Sequence, residues 1–327
     1  MGPLCYQLTR KTHPNAPQNV TGVINGDGSI TINWDKVEGA LAYLTHYGDA
    51  NQGVTSGLKY IGYSETNSWT LAAENVPKLE VGDFITVTIQ AYHVAAPSDL
   101  TEKEKAEFLD NGSLPGSEWS DPVILTKLKT HIAYAYSADG TDRFTTVYPN
   151  LNLLGGTRDF SGTWTNSSSW VSDGTYKGLT VKKRTAQWYG IYKTFTAPKD
   201  GAYTFSAYIK SSGNTANIKR LGGINATPGN VTMSILIGNN FDWTKDSVTL
   251  NLKANDSIWF RYEISGTGTD SILWTAGHKY EPGSTATPYM PSSSEVTTAD
   301  WPKYVGSYTD SSESQSENPG DYNWKLA

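Results

Sequence analysis

Five runs of this chain alternate apolar and polar residues with a period of two: "ITVTIQA" from Ile85, "AYTFSAYIK" from Ala202, "VTMSILIG" from Val231, "SVTLNLKA" from Ser247 and "SIWFRYEIS" from Ser257. Such alternation gives a strand one buried and one wetter face. Repeated along a chain and punctuated by turn signals such as "NGDG" before "SITINWD", it predicts antiparallel sheets stacked as sandwiches. The fold class expected is therefore all-β. With 11 Trp and 20 Tyr among Ser, Thr, Asn and Gly, and almost no long Ala/Leu/Glu/Lys stretch, the composition agrees. A length of 327 residues favours two domains.

The alternation also assigns faces. Across 14–128, Ile30, Ile32 and Trp34, then Tyr43 and Tyr47, then Ile85, Val87, Ile89 and Ala91 are expected inside. Thr101 and Glu104 form a capping-box pattern within the insertion "APSDLTEKEKAEFLDNGSLPG" and predict a short charged helix, read as solvated or as docking on a neighbouring subunit. Residues 1–13 are taken as an N-terminal docking extension and 129–149 as an extended connector. In 150–292, Tyr203, Phe205, Ala207 and Ile209 point inward, with Thr204, Ser206, Tyr208 and Lys210 outward. Ile258, Phe260, Tyr262 and Ile264 are inward, leaving Trp259, Arg261 and Glu263 together on an exposed face. The segment 293–327 is low-complexity, yet it holds Trp301, Tyr304, Tyr308, Tyr322 and Trp324, too many aromatics for disorder.

Much chemistry is excluded. A net charge of −6 without a basic cluster longer than "KKR" argues against nucleic acid. Cys5, the single cysteine, rules out an internal disulfide framework. The five histidines are isolated, so no zinc or iron site is expected. Calcium stays open, because Asp256 or Asp270 with loop carbonyls could ligate it without a readable motif. No apolar run has the length of a signal peptide core or a membrane span, so no membrane insertion and no classical export are expected. Phosphate-binding loops, nucleophile elbows and dinucleotide fingerprints are absent. Glu263 and Glu281 are the one tempting carboxylate pair, and their strand phases place both in solvent rather than in a desolvating cleft.

The stretch "AGHKYEPGSTATPYMP" at 276–291 is dense in titratable groups, but it reads as a closing strand. Ile272, Trp274, Ala276, His278 and Tyr280 are expected along one face, with Pro282 and Gly283 ending the strand. Saccharide binding fits the residue types better than catalysis. Pyranose rings stack on Trp or Tyr, and their hydroxyls take planar donors and acceptors. "AQWYGIYKTF" read as a strand puts Trp188 and Tyr192 on one face. With Tyr208, Trp259, Arg261 and Glu263 they make the candidate carbohydrate surface. No catalytic or metal-binding residue is assigned.

Two resemblances add to this. Residues 14–128, through the strand ending in Trp34, the Tyr43-to-Tyr47 spacing, "LEVGDFITVTIQAY" and "GSEWSDPVIL", resemble a fibronectin type III domain. Residues 150–292, through "NLLGGTRDFSGTW", "TFTAPKDGAYTFSAYIKSSG" and "SIWFRYEISGTGTDSILWTAGHKYEPGSTATPYMPS", resemble jelly-roll carbohydrate-binding modules of the family 4/9 type in tail and baseplate proteins of phages with Gram-positive hosts. The resemblance implies a non-catalytic virion protein at the tail, baseplate or neck exterior, assembled in the host cytoplasm. It would adhere to host cell-wall polysaccharide among other virion proteins, as a homo-oligomer in the particle. The rival readings are a purely structural decoration and a polysaccharide depolymerase.

Overall fold

The computed structural model describes residues 13–227, 230–266 and 270–327. Cys5 and, but for His13, the N-terminal docking extension lie outside the described residues. Two compact units emerge, one of Met1–His131 with Thr309–Gln315, the other of Ile132–Tyr308 with Ser316–Ala327.

In the first unit, β1 (Thr21–Ile24), β2 (Ile30–Asn33), β3 (Ala42–Tyr47), β4 (Tyr60–Ser64), β5 (Ser68–Leu71), β6 (Phe84–Tyr92) and β7 (Val123–Thr126) form two antiparallel sheets, ordered β1-β2-β5 and β4-β3-β6-β7. Ile30, Ile32, Trp69 and Leu71 from one sheet meet Tyr43, Tyr47, Ile85, Val87 and Ile89 from the other. The alternation thus builds a three-against-four sandwich.

The insertion helix α1 (Glu102–Asp110) starts at the capping box. The Thr101 hydroxyl accepts from the Glu104 amide at 3.3 Å, and the Glu104 carboxylate accepts from the Thr101 amide at 2.8 Å. The expectation of a solvated or partner-docked helix is corrected here. Ala106 and Leu109, one turn apart, are buried with Ala42, Leu44, Tyr63 and Tyr92. These two apolar positions among charged ones suffice to seat α1 on the outer face of its own sheet.

The second unit contains β9 (Val171–Tyr176), β10 (Leu179–Arg184), β11 (Phe195–Thr196), β12 (Gly201–Ser212), β13 (Asn217–Ile224), β14 (Met233–Gly238), β15 (Phe241–Leu252), β16 (Ser257–Ser265) and β17 (Ile272–Pro282). A five-stranded sheet, β15-β12-β17-β10-β9, packs on a four-stranded one, β11-β16-β13-β14. Tyr203, Phe205, Ala207 and Ile209 of β12 meet Ile258, Phe260, Tyr262 and Ile264 of β16 in the core, as their phase dictates. This is the jelly-roll-type sandwich expected of the region. Before and after it in sequence, β8 (Lys129–Ala135), β18 (Tyr304–Asp310) and β19 (Asn323–Leu326) form a small sheet in the order β19-β18-β8. Phe144 meets Tyr322 and Trp324 edge-on, and Tyr148 stacks on Trp301 at 5.7 Å, which is where the C-terminal aromatics go.

Strand β17 departs from a single phase. Gly277 has φ +61°, and the register steps from Ser206↔Lys279 to Tyr208↔Ala276, so Gly277 and His278 together oppose Ala207. This bulge exchanges the faces. Trp274 and Ala276 pack in the outer cluster with Leu179, Val181 and Tyr208, whereas Tyr280 belongs to the core and His278 meets Phe205, Phe160 and Trp164 edge-on. The expectation of one continuous face from Ile272 to Tyr280 is thereby corrected.

Past the bulge, Lys279 and Glu281 take the outer face, and both are fully buried, correcting the solvent exposure expected for Glu281. The chain after Gly283 folds back over them. Lys279 Nζ donates to Glu281 at 3.0 Å, to the Thr287 hydroxyl at 2.7 Å and to the Pro288 carbonyl at 2.8 Å. The Thr287 amide and hydroxyl donate to Glu281, and Lys245 donates to the Ala286 and Thr287 carbonyls. Burial pushes both lysines down to about 8, opposed in each by the Glu281 charge.

Candidate saccharide site

The candidate site lies on the outer face of the four-stranded sheet, where β16 presents Trp259, Arg261 and Glu263 as its phase predicts. The segment 187–192 is not a strand. It is a loop along β16, with the Trp188 amide donating to the Ile264 carbonyl at 3.2 Å and the Gly190 amide to Glu263 Oε1 at 3.2 Å. Glycine is required at 190, because a Cβ there would fall 2.5 Å from the Tyr262 carbonyl oxygen. Tyr192 then bridges to Thr165.

Between loop and sheet is an open depression of about 350 Å³ lined by Thr165, Asn166, Trp188, Tyr189, Tyr192, Arg261 and Glu263. That is the lower end of the range for small-molecule sites. Four of the six candidate residues, Trp188, Tyr192, Arg261 and Glu263, are brought together here. Trp259 is buried, which corrects the exposure expected from the sequence. It is 1% accessible, covered by Tyr192 at 5.3 Å between ring centroids and by the Arg261 guanidinium 4.7 Å from its own ring. It serves as the bed for Tyr192 and Arg261. Glu263 is likewise buried, because the loop crosses over it, and it forms an ion pair with Arg261, Nε to Oε1 2.7 Å. Buried in ion pairs on different sheets, Glu263 and Glu281 do not form the facing pair that glycoside hydrolysis uses.

Tyr208 is on the other sheet. It is buried against Leu179, Val181, Ala276 and Tyr289, with Tyr176, Trp243 and Trp274 at the rim, and burial pushes its hydroxyl up to about 12. Strand phase alone could not separate the outer faces of two sheets. Tyr189 is the residue that sequence reasoning missed: read as a strand, the segment sets it on the face opposite Trp188 and Tyr192, whereas it is 61% exposed beside Trp188 at 49%. Both have positive φ, 57° and 53°, a conformation that costs bulky residues about 1–3 kcal/mol each. The available signal was the tetrad "QWYG", two aromatics before a glycine, which suits a turn as well as a strand.

The depression offers the exposed rings of Trp188 and Tyr189 over a floor that holds the Arg261–Glu263 ion pair, with Asn166 and Thr165 also in its lining. Among the described residues, the buried Tyr192 hydroxyl has no hydrogen-bond partner. The aspartates considered for calcium are turn acceptors. Asp256 takes the Asn225 side chain and the Lys253 amide, and Asp270 takes the Asn214 and Thr215 amides.

No family model and no curated protein matches the sequence. Among solved structures, the chain is similar to the tripod from the baseplate of bacteriophage Tuc2009, with 28% identity over 61% of this chain and 79% of that one and a TM-score of 0.44. It is also similar to the CBM22-1 xylan-binding domain from Paenibacillus barcinonensis Xyn10C, with 14% identity over 43% of this chain and 99% of that one, TM-score 0.31. A third is TmCBM61 in complex with β-1,4-galactotriose, with 12% identity over 40% and 99%, TM-score 0.31. A phage baseplate and carbohydrate-binding modules are thus both among its structural neighbours.

Proposed function

We propose that the protein binds saccharide without cleaving it, through the depression between loop 187–192 and β16, and that it does so on a phage tail, where it adheres to host cell-wall polysaccharide. The observation that carries the reading is the pair of exposed aromatic rings, Trp188 and Tyr189, beside the Arg261–Glu263 pair. Aromatic faces next to planar donors and acceptors are what a pyranose requires. A shallow site binds weakly on its own, and repeated copies on a particle supply avidity. The virion setting rests on the sequence resemblance to phage tail and baseplate modules.

The test is binding of the full chain to cell-wall polysaccharides from Gram-positive bacteria, by calorimetry or on an array. Trp188→Ala and Tyr189→Ala are each expected to weaken binding at least tenfold and to leave the melting temperature within about 2 °C, since surface positions contribute little to stability. Undiminished binding in both variants would overturn the site. The same exposure would suit a subunit interface, and quenching of Trp188 on particle assembly, with no response to any polysaccharide, would favour that structural reading.

A further inference from the structure

Four consecutive carbonyls of the aromatic loop are each held by a side chain from outside it. Arg184, the last residue of β10, donates from Nη2 to the Gln187 carbonyl at 2.7 Å and from Nε to the Trp188 carbonyl at 2.6 Å. The Trp170 indole donates to the Tyr189 carbonyl at 2.8 Å, and the Asn166 amide to the Gly190 carbonyl at 2.9 Å. Arg184 also donates from Nη1 to the Ser169 carbonyl at 2.6 Å, tying the segment that carries Trp170 and Asn166 to the loop itself. Arg184 is buried, 8% accessible, and among the described residues its guanidinium is used on carbonyls rather than on a carboxylate.

Only a planar fork with donors in three directions can make this arrangement. It acts where two successive bulky residues hold an unfavourable φ, so that without it the backbone would relax and the two rings would scatter. We infer that Arg184 is the positioning residue of the site: it fixes loop 187–190 before any ligand arrives, and Trp188 and Tyr189 form a preformed clip rather than one ordered by the saccharide. This rests on the depression being a saccharide site, and it adds that affinity depends on a residue that touches no ligand. Preorganisation acts by removing the ordering cost from the binding step.

The experiment compares the full chain with Arg184→Gln and Arg184→Lys, and with Trp170→Phe, which removes the indole donor but keeps an aromatic ring. Two readouts are taken: affinity for the cell-wall polysaccharide that best binds the unaltered chain, and hydrogen exchange of the peptide spanning 186–191 without ligand. The expected result is faster exchange in that peptide but not in β12, with binding weakened about tenfold or more in both Arg184 variants. Lysine does not rescue, since its three N–H donors radiate from a single nitrogen, whereas the three carbonyls are met by three separate nitrogens of a planar fork. Trp170→Phe gives the same pattern in smaller degree and stands in should the Arg184 variants fail to fold. Unchanged affinity in a folded Arg184→Gln or Trp170→Phe protein whose Trp188→Ala counterpart has lost binding overturns this inference alone. If no polysaccharide binds the unaltered chain, the proposed function falls first.

Discussion

Acidification is expected to weaken the second unit through His278. The ring is 2% accessible, set edge-on to Phe160, Trp164, Phe205 and Tyr262, with Nε2 2.9 Å from the Thr275 hydroxyl. Burial pushes it from an ordinary value of 6.5 to about 3, with no anion among the described residues to favour the imidazolium. Between those two values the unfolded chain holds a proton that the folded chain refuses. Stability is therefore complete above pH 6.5 and falls as the pH drops toward 3. At 1.36 kcal/mol per pH unit, the loss is about 2 kcal/mol at pH 5. The assay is urea unfolding at pH 7.5 and pH 5.0 for the unaltered chain and His278→Gln, followed by tryptophan fluorescence. The variant should be less stable at pH 7.5, yet lose about 2 kcal/mol less on acidification. Equal losses in the two proteins would refute the reasoning, since they would mean that His278 takes up its proton while folded.

Glu281→Gln leaves Lys279 buried without its counter-charge, and a loss of about 3–5 kcal/mol is expected by denaturant unfolding; replacing Lys279 and Glu281 together by Met and Leu should cost less than the single change. Leu109→Ala should cost about 2–4 kcal/mol of first-unit stability, whereas a helix that merely floated on its loop would tolerate it, and thermal unfolding distinguishes the two.

The parts of this fold legible in sequence are those governed by local periodicity. Ile85 to Ala91, Tyr203 to Ile209 and Ile258 to Ile264 all face the cores their phase assigns, because a one-residue slip would put a whole apolar set in water. The Thr101–Glu104 cap was equally legible, being decided within one turn. What covers an outer face was not. Nothing in "SIWFRYEIS" tells that a loop from seventy residues earlier buries Trp259 and Glu263, and nothing in "AYTFSAYIK" tells that Tyr208 faces away from them. Four of the six candidate residues meet in the depression because phase put Arg261 and Glu263 on the correct side, while Trp188 and Tyr192 arrive there by a loop path that their spacing does not encode.

The bulge at Gly277 makes β17 a strand of two parities. Upstream of it, every second residue from Trp274 faces outward; downstream, that same count faces the aromatic interior, and the buried ions go out beneath the returning chain. The extra residue thus works as an inverter written into the chain length. Side chains on either side can be exchanged within their own class, but the number of residues between Ala276 and Tyr280 cannot change by one without exchanging ion pair for imidazole across the sheet.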